Sequence, residues 1–256
     1  MFMTTDPRKV IGIVGGMGPH AGGALFNNIT VHTRARADQE HLSVILMSFP
    51  GNMTDRTLFL DGKAPVNPAA GIAQVIGKLE QAGAEVIGIA CNTSYAPRIY
   101  DVVLEELERR FSKVNLVHMP LETCRYIHRY PARIRRIGLM TTNGTYRSGV
   151  YKNILEEWGY EVVLPAFDFQ HQYIHRAIYD PVFGIKANAA GITDEAIMLL
   201  NHAIEFFRDQ KADAVVFGCT ELSLVPRMHL PDEILIVDAL DVLAQALIRE
   251  ALSETD

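Results

Sequence analysis

The 256 residues carry 24 basic and 30 acidic side chains, a net charge of −6, and 48% are hydrophobic. That is ample material for packed cores, and the acidic balance excludes a default nucleic-acid binder, which shows a basic excess or stripe. No run reaches 18 uninterrupted apolar residues, and the start, MFMTTDPRKVIG, lacks the apolar region and cleavage site of a secretory leader, so no membrane span and a cytoplasmic location are expected.

Short apolar, β-branched runs alternate with longer helical patterns. The first strand, 10–14, runs into GGMGP and a helix over 20–36. A strand at 42–48, a helix at 68–82, a strand at 85–90 and a helix at 96–111 follow, then a strand at 115–119 and a helix at 121–129. The alternation resumes with a strand at 136–140, a helix at 146–158 and a strand at 161–165. A helix at 193–209, strands at 213–218 and 233–238, and a helix at 239–252 complete it. Near-continuous apolar strands between amphipathic helices predict an α/β fold of mainly parallel sheets covered by helices. The basic group Arg133, Arg135 and Arg136 reads as a solvated strand edge.

The chain repeats itself. GAEVIGIACNTS (83–94) resembles KADAVVFGCTEL (211–222) at an offset of 128, with Cys91 on Cys219. VIGIVGGMGP (10–19) resembles RIGLMTTNGT (136–145) at an offset of 126. Two nearly equal offsets from separate places predict two pseudo-symmetric α/β domains with the active site in the cleft between them. The expected limits are 1–113 for the first, with Cys91, and 114–225 for the second, with Cys219. The strand and helix in 226–256 are expected to pack back on the first domain.

Three cysteines, Cys91, Cys124 and Cys219, are too few and too far apart for a disulfide framework or a CxxC pair. Cys124, inside a helical pattern, reads as a buried small hydrophobe. Cys91 and Cys219 each close a strand, where open α/β sheets bind ligands. Each is followed by polar turn residues, Asn92-Thr93-Ser94 and Thr220-Glu221, whose backbone N–H groups suit a carboxylate. Two thiols facing across one cleft fit stereoinversion: a thiolate removes the Cα proton and the opposite thiol delivers one to the other face. A free thiol has a pKa of about 8.5, lowered by helix N-termini or nearby cations, so acid and base roles are both within reach near neutral pH.

IGIVGGMGP at 11–19, DRT at 55–57, ACNTS at 90–94, TTNGTYRSGVY at 141–151, AIYDPVFGIKA at 177–187 and GCTELSL at 218–224 occur in this order. Together they resemble the cofactor-independent aspartate/glutamate racemase superfamily over essentially the whole chain. Gly16-Met17 in the first loop and Glu221 after Cys219-Thr220 are similar to the aspartate branch; glutamate racemases carry Asp-Ser and His there. The resemblance implies a pyridoxal-phosphate-independent racemase, with no cofactor and no metal, that interconverts L- and D-aspartate with Cys91 and Cys219 as the two bases. It implies a small dicarboxylic amino acid as ligand and a homodimer as assembly.

By the same resemblance Arg56 and Lys186 are the two carboxylate-binding cations. Arginine suits that role because its planar fork binds a carboxylate bidentately. Asn92 and Thr93 are expected to hold the substrate α-carboxylate, and Thr142 and Thr145 occupy the matching loop of the second half. Thr220 and Glu221 follow Cys219 in the same position. Ser94-Tyr95 stands where relatives carry Ala-His, which implies a reshaped pocket there.

Other readings keep the scaffold and change the role: a glutamate or broad-specificity racemase, a maleate-isomerase-like enzyme, or a non-catalytic acidic amino-acid binder. The opening loop also raises a nicotinamide-dependent oxidoreductase, since Gly16-x-Gly18-x-x-Ala21 fits a permissive dinucleotide fingerprint. The confirming acid is missing, because the second strand ends in Ser48-Phe49-Pro50-Gly51. Met17 and Gly18 then become contacts to a compact substrate, with glycine letting backbone approach it. His171 and His175 share an i, i+4 spacing but lack a third metal ligand and read as polar rim residues.

Overall fold

A computed structural model describes residues 8–130, 134–188, 190–225 and 234–253. Arg133 and the first residue of the strand expected at 233–238 lie outside them.

The elements run β1 (Ile11–Gly15), α1 (Pro19–His32), β2 (Val44–Ser48), α2 (Arg56–Leu60), α3 (Ala69–Gln81), β3 (Val86–Ile89), α4 (Pro97–Arg109), β4 (Asn115–Val117) and α5 (Met119–Arg129). The chain continues with β5 (Arg136–Thr141), α6 (Asn143–Ser148), α7 (Val150–Glu157) and β6 (Glu161–Val163). Next come α8 (Phe167–Phe169), a π-helical turn (Gln170–His175) and α9 (Arg176–Tyr179), then α10 (Asp194–Asp209), β7 (Ala214–Gly218), β8 (Leu235–Asp238) and α11 (Ala239–Leu252).

Two four-stranded parallel sheets have the same strand order, β2-β1-β3-β4 and β6-β5-β7-β8. The duplication extends to register. Ile11 pairs with Val86 in the first sheet, and Ile137 pairs with Ala214 in the second, the same positions displaced by the repeat offsets. β1, β3 and β7 are buried at every residue, as parallel strands covered on both faces must be.

The ends of the two halves correct the expected limits. β4 pairs with β3, so the first sheet continues past residue 113. β8 pairs with β7, so the last strand completes the second sheet instead of returning to the first. The last helix does cross over: α11 lies against α1 and β3, while α5 lies against α7 and β8. Gly88 permits that crossing, since a Cβ there would sit 2.8 Å from Leu247 Cδ1. Each sheet is thus covered by a helix leading out of the other. One buried apolar cluster runs through both, from Ile11 and Ile87 to Ile137, Val216 and Leu247.

Several helical patterns differ from expectation: α1 ends at His32 rather than at 36, and the short α2 has no predicted counterpart. The helix predicted over 146–158 is two helices, broken at Gly149 in the left-handed region (φ 68°). The turns at 167–179 have no predicted counterpart, because their aromatic and histidine content obscures helical periodicity.

Candidate active site

The carboxyl ends of β1, β3, β5 and β7 carry the loops that meet between the sheets. The β1 loop turns at Gly16, whose φ of +96° and whose closeness to the Pro50 nitrogen (2.9 Å from a Cβ) both require glycine. Gly18 approaches the other half: a Cβ there would lie 3.0 Å from Glu221 Oε1.

A cleft of about 230 Å³ opens here, lined by Gly16, Met17, Gly18 and Arg56 on one side and by Ile185, Lys186, Glu221 and Leu224 on the other, with Pro19 and His20 at the loop. Its size suits a compact ligand rather than a dinucleotide.

Two cations meet on one carbonyl. Arg56, 6% exposed, donates to Met17 O at 2.8 Å and to Thr54 O at 3.3 Å, and Lys186 Nζ donates to Met17 O at 3.5 Å. Arg56 is not paired with its neighbour Asp55, which instead caps α2 through the Leu58 N–H at 2.8 Å. The Arg56 guanidinium rests against the Cys91 thiol. Burial alone would lower its pKa, but Cys91, Tyr179 and Asp55 outweigh burial and hold it charged.

The second thiol has the opposite neighbour. Cys219 Sγ donates to Glu221 Oε2 at 3.1 Å, the Thr220 hydroxyl donates to the same oxygen at 3.3 Å, and Glu221 Oε1 pairs with Lys186. Burial first, and the Glu221 carboxylate next, push the Cys219 thiol well above its ordinary pKa, so it rests protonated. Burial opposes the charge on Glu221, but Lys186 prevails and its carboxyl titrates below the usual range. Each thiol is 4% exposed and interacts with a residue that lines the cleft, Cys91 with Arg56 and Cys219 with Glu221.

Behind the cleft, Thr93 Oγ1 lies 3.0 Å from Thr142 Oγ1 and 2.9 Å from Thr145 Oγ1, so the loops after β3 and β5 interlock across the halves. Thr142 also caps α6, accepting the Thr145 N–H at 3.3 Å. Among the described residues, Arg56 Nε, Thr57 Oγ1 and Asn92 Nδ2 are buried without a hydrogen-bond partner. Buried polar atoms are nearly always paired, so three orphans in adjoining loops mark where a polar ligand would be held.

Of the expected site residues, Met17, Gly18, Arg56, Lys186 and Glu221 line the cleft. Cys91, Asn92, Thr93, Thr142, Thr145, Cys219 and Thr220 lie buried behind it. Neither residue of the Ser94-Tyr95 departure lines the cleft itself. Tyr95 turns inward, donating to Val117 O at 3.0 Å, while the Ser94 hydroxyl donates to Met17 Sδ at 3.4 Å. Among the described residues no group of three His, Cys, Asp or Glu could hold a metal ion, and no helix is long and apolar enough to cross a membrane.

Tyr151 and Tyr179 also belong to this site, although no role attaches to them from sequence. Each lies inside a quoted motif, TTNGTYRSGVY or AIYDPVFGIKA, and that was the signal available.

The model of the Asp/Glu/hydantoin racemase family matches residues 14–247. The chain belongs to this family. It is accordingly an amino-acid racemase, an isomerase. The broad-specificity amino-acid racemase RacX of Bacillus subtilis is 26% identical over 252 residues, 95% of this chain and 99% of that protein. The structure of Picrophilus torridus aspartate racemase is similar with a TM-score of 0.78 at 27% identity, covering 97% of this chain and 96% of that one. Francisella tularensis glutamate racemase in complex with D-glutamate has a TM-score of 0.64 at 15% identity, over 98% of this chain and 86% of that one, and shares the fold.

Proposed function

We propose that the protein interconverts L- and D-aspartate by a two-base mechanism in which Cys91 and Cys219 act on opposite faces of Cα. The observation that carries this reading is the pair of thiols at equivalent strand ends with opposite electrostatic neighbours, Arg56 at Cys91 and Glu221 at Cys219.

Two cations and one carboxylate line the cleft, matching the two carboxylates and one ammonium of an acidic amino-acid zwitterion. In one direction the Cys91 thiolate takes the Cα proton, leaving its electron pair on carbon and the adjoining carboxylate. The Cys219 thiol then delivers its proton to the other face. The product leaves with Cys91 protonated and Cys219 ionised, and the reverse turnover starts from that state. The Asn92 amide and the Thr93 loop hold the α-carboxylate, where charge grows in the transition state and fixed donors gain most. Lys186 holds the distal carboxylate once that group competes with Glu221 for it.

The alignment with a broad-specificity racemase over nearly its whole length makes glutamate and neutral amino acids the second reading. Incubation in deuterated water with a panel of amino acids tests both. Deuterium at Cα and the opposite enantiomer with aspartate support the first. Turnover confined to other amino acids moves the assignment to the second, and no exchange with any of them overturns both. The homodimer that the resemblance implies belongs to this reading, and light scattering of the purified chain tests it.

A further inference from the structure

The racemase reading gives Asn92 a role but does not say what orients it. We propose that Tyr151 is the positioning residue of the site: its hydroxyl fixes the Asn92 amide with the NH2 end toward the ligand, and its ring backs the strand end that presents Cys219. The inference rests on that reading for the identity of the ligand.

Tyr151 is the second residue of α7, and the left-handed break at Gly149 carries the chain into that helix, where Tyr151 is buried at 1% exposure. Its hydroxyl donates to Asn92 Oδ1, in the turn that begins at Cys91. Burial raises its pKa well above the ordinary value, so it stays a neutral donor over any working pH. A side-chain amide has one accepting and one donating end. With Oδ1 committed to Tyr151, Nδ2 is the end left over, and it is buried with no partner among the described residues.

The ring serves the other thiol. A Cβ on Gly218, the residue before Cys219, would lie 3.1 Å from Tyr151 Cε2 and 2.7 Å from Thr141 Cγ2. The backbone that presents Cys219 therefore rests on the same tyrosine that holds the turn after Cys91. One side chain from the second half sets the Asn92 amide and backs the strand end before Cys219.

Tyr151→Phe keeps the ring and removes the hydroxyl, which separates the two tasks. Racemisation of aspartate in both directions is measured for wild type, Y151F, N92A and the double variant, with thermal unfolding of each. About a tenfold loss of kcat/KM in Y151F is expected, the worth of one hydrogen bond. The double variant should be no worse than N92A, because a tyrosine that acts only through Asn92 has nothing left to orient. Calorimetric binding of succinate, an unreactive dicarboxylate, should weaken in Y151F by a similar factor. Unchanged kinetics and binding in Y151F, or losses that add in the double variant, overturn the proposal while wild-type turnover upholds the racemase reading. If wild type turns over no amino acid, that reading fails and succinate binding alone decides for Tyr151. If wild type does not bind succinate either, both fail.

Discussion

The Tyr179 hydroxyl donates to Asp55 Oδ2 at 3.0 Å, joining the second half of the molecule to the residue that caps the helix carrying Arg56. The Lys186 ammonium lies 5.4 Å from the centre of the same ring. One tyrosine thus braces both cations. Burial raises the Tyr179 pKa well above its ordinary value, so the donor persists. Tyr179→Phe should raise KM for aspartate about tenfold, the worth of one hydrogen bond to a charged group, with a smaller effect on kcat. Its effect should not add to that of Asp55→Asn. Steady-state kinetics of the two single variants and the double variant check this.

Cys91→Ala and Cys219→Ala should each reduce racemisation by about 10³-fold or more, since each removes one proton-transfer group. Both should keep their fold. Each should retain Cα deuterium exchange only from the enantiomer whose proton faces the remaining thiol. Cys124→Ala, by contrast, should racemise normally, because burial lifts that thiol to about 12 and it lies in α5. Mass spectrometry of exchange beside chiral chromatography separates these outcomes.

Glu221→Gln leaves Lys186 charged without its carboxylate. Breaking a buried pair costs about 3–5 kcal/mol. The lower end is expected, since the Lys186 side chain is 21% exposed. The carboxyl of Glu221 is depressed below 4.5 in the fold, so its stabilisation is complete above that pH and is lost as pH falls through the lower folded value. Denaturant unfolding from pH 7 to 3 should show that acid loss in wild type and a shallower one in E221Q. The Cys219 thiol loses an anionic neighbour in the same variant and should ionise at lower pH, which alkylation rates in the Cys91→Ala, Cys124→Ala background read directly.

His175 should mark the acid limit of stability. Burial, with His171 beside it, lowers its pKa to about 4, and its Nδ1 accepts the Asn143 N–H at 3.3 Å. The unfolded chain binds the proton first, so the stabilisation is present above about pH 6.5 and is lost as pH falls from there through about 4. With a partly exposed ring, a contribution of about 1–2 kcal/mol is expected. His175→Gln should flatten the dependence of the unfolding midpoint over that window. Proton NMR of the wild-type imidazole should show no titration of His175 near pH 6.5.

Much of this architecture is legible in the chain. Apolar runs at 10–14 and 213–218 identify buried parallel strands because such strands leave no polar face. The offset of 128 ties Cys91 to Cys219, and the pairing of Ile11 with Val86 and of Ile137 with Ala214 shows why it could be read: both copies keep one register. Residues at strand ends are set by local sequence, so the cysteines and their polar turns declared themselves.

What the sequence by itself determined is the periodicity, the duplication and the identity of the groups at the strand ends, all of them short-range properties of neighbouring residues. Only the tertiary structure decided that β8 joins the second sheet while α11 covers the first, because an amphipathic face specifies burial and not the partner that supplies it. It also decided that Glu221 sits between Lys186 and Cys219, that Tyr151 reaches Asn92 and that Tyr179 reaches Asp55. The last two bonds join the halves across 59 and 124 residues, and such contacts follow from how two packed bodies come together, which no local pattern encodes.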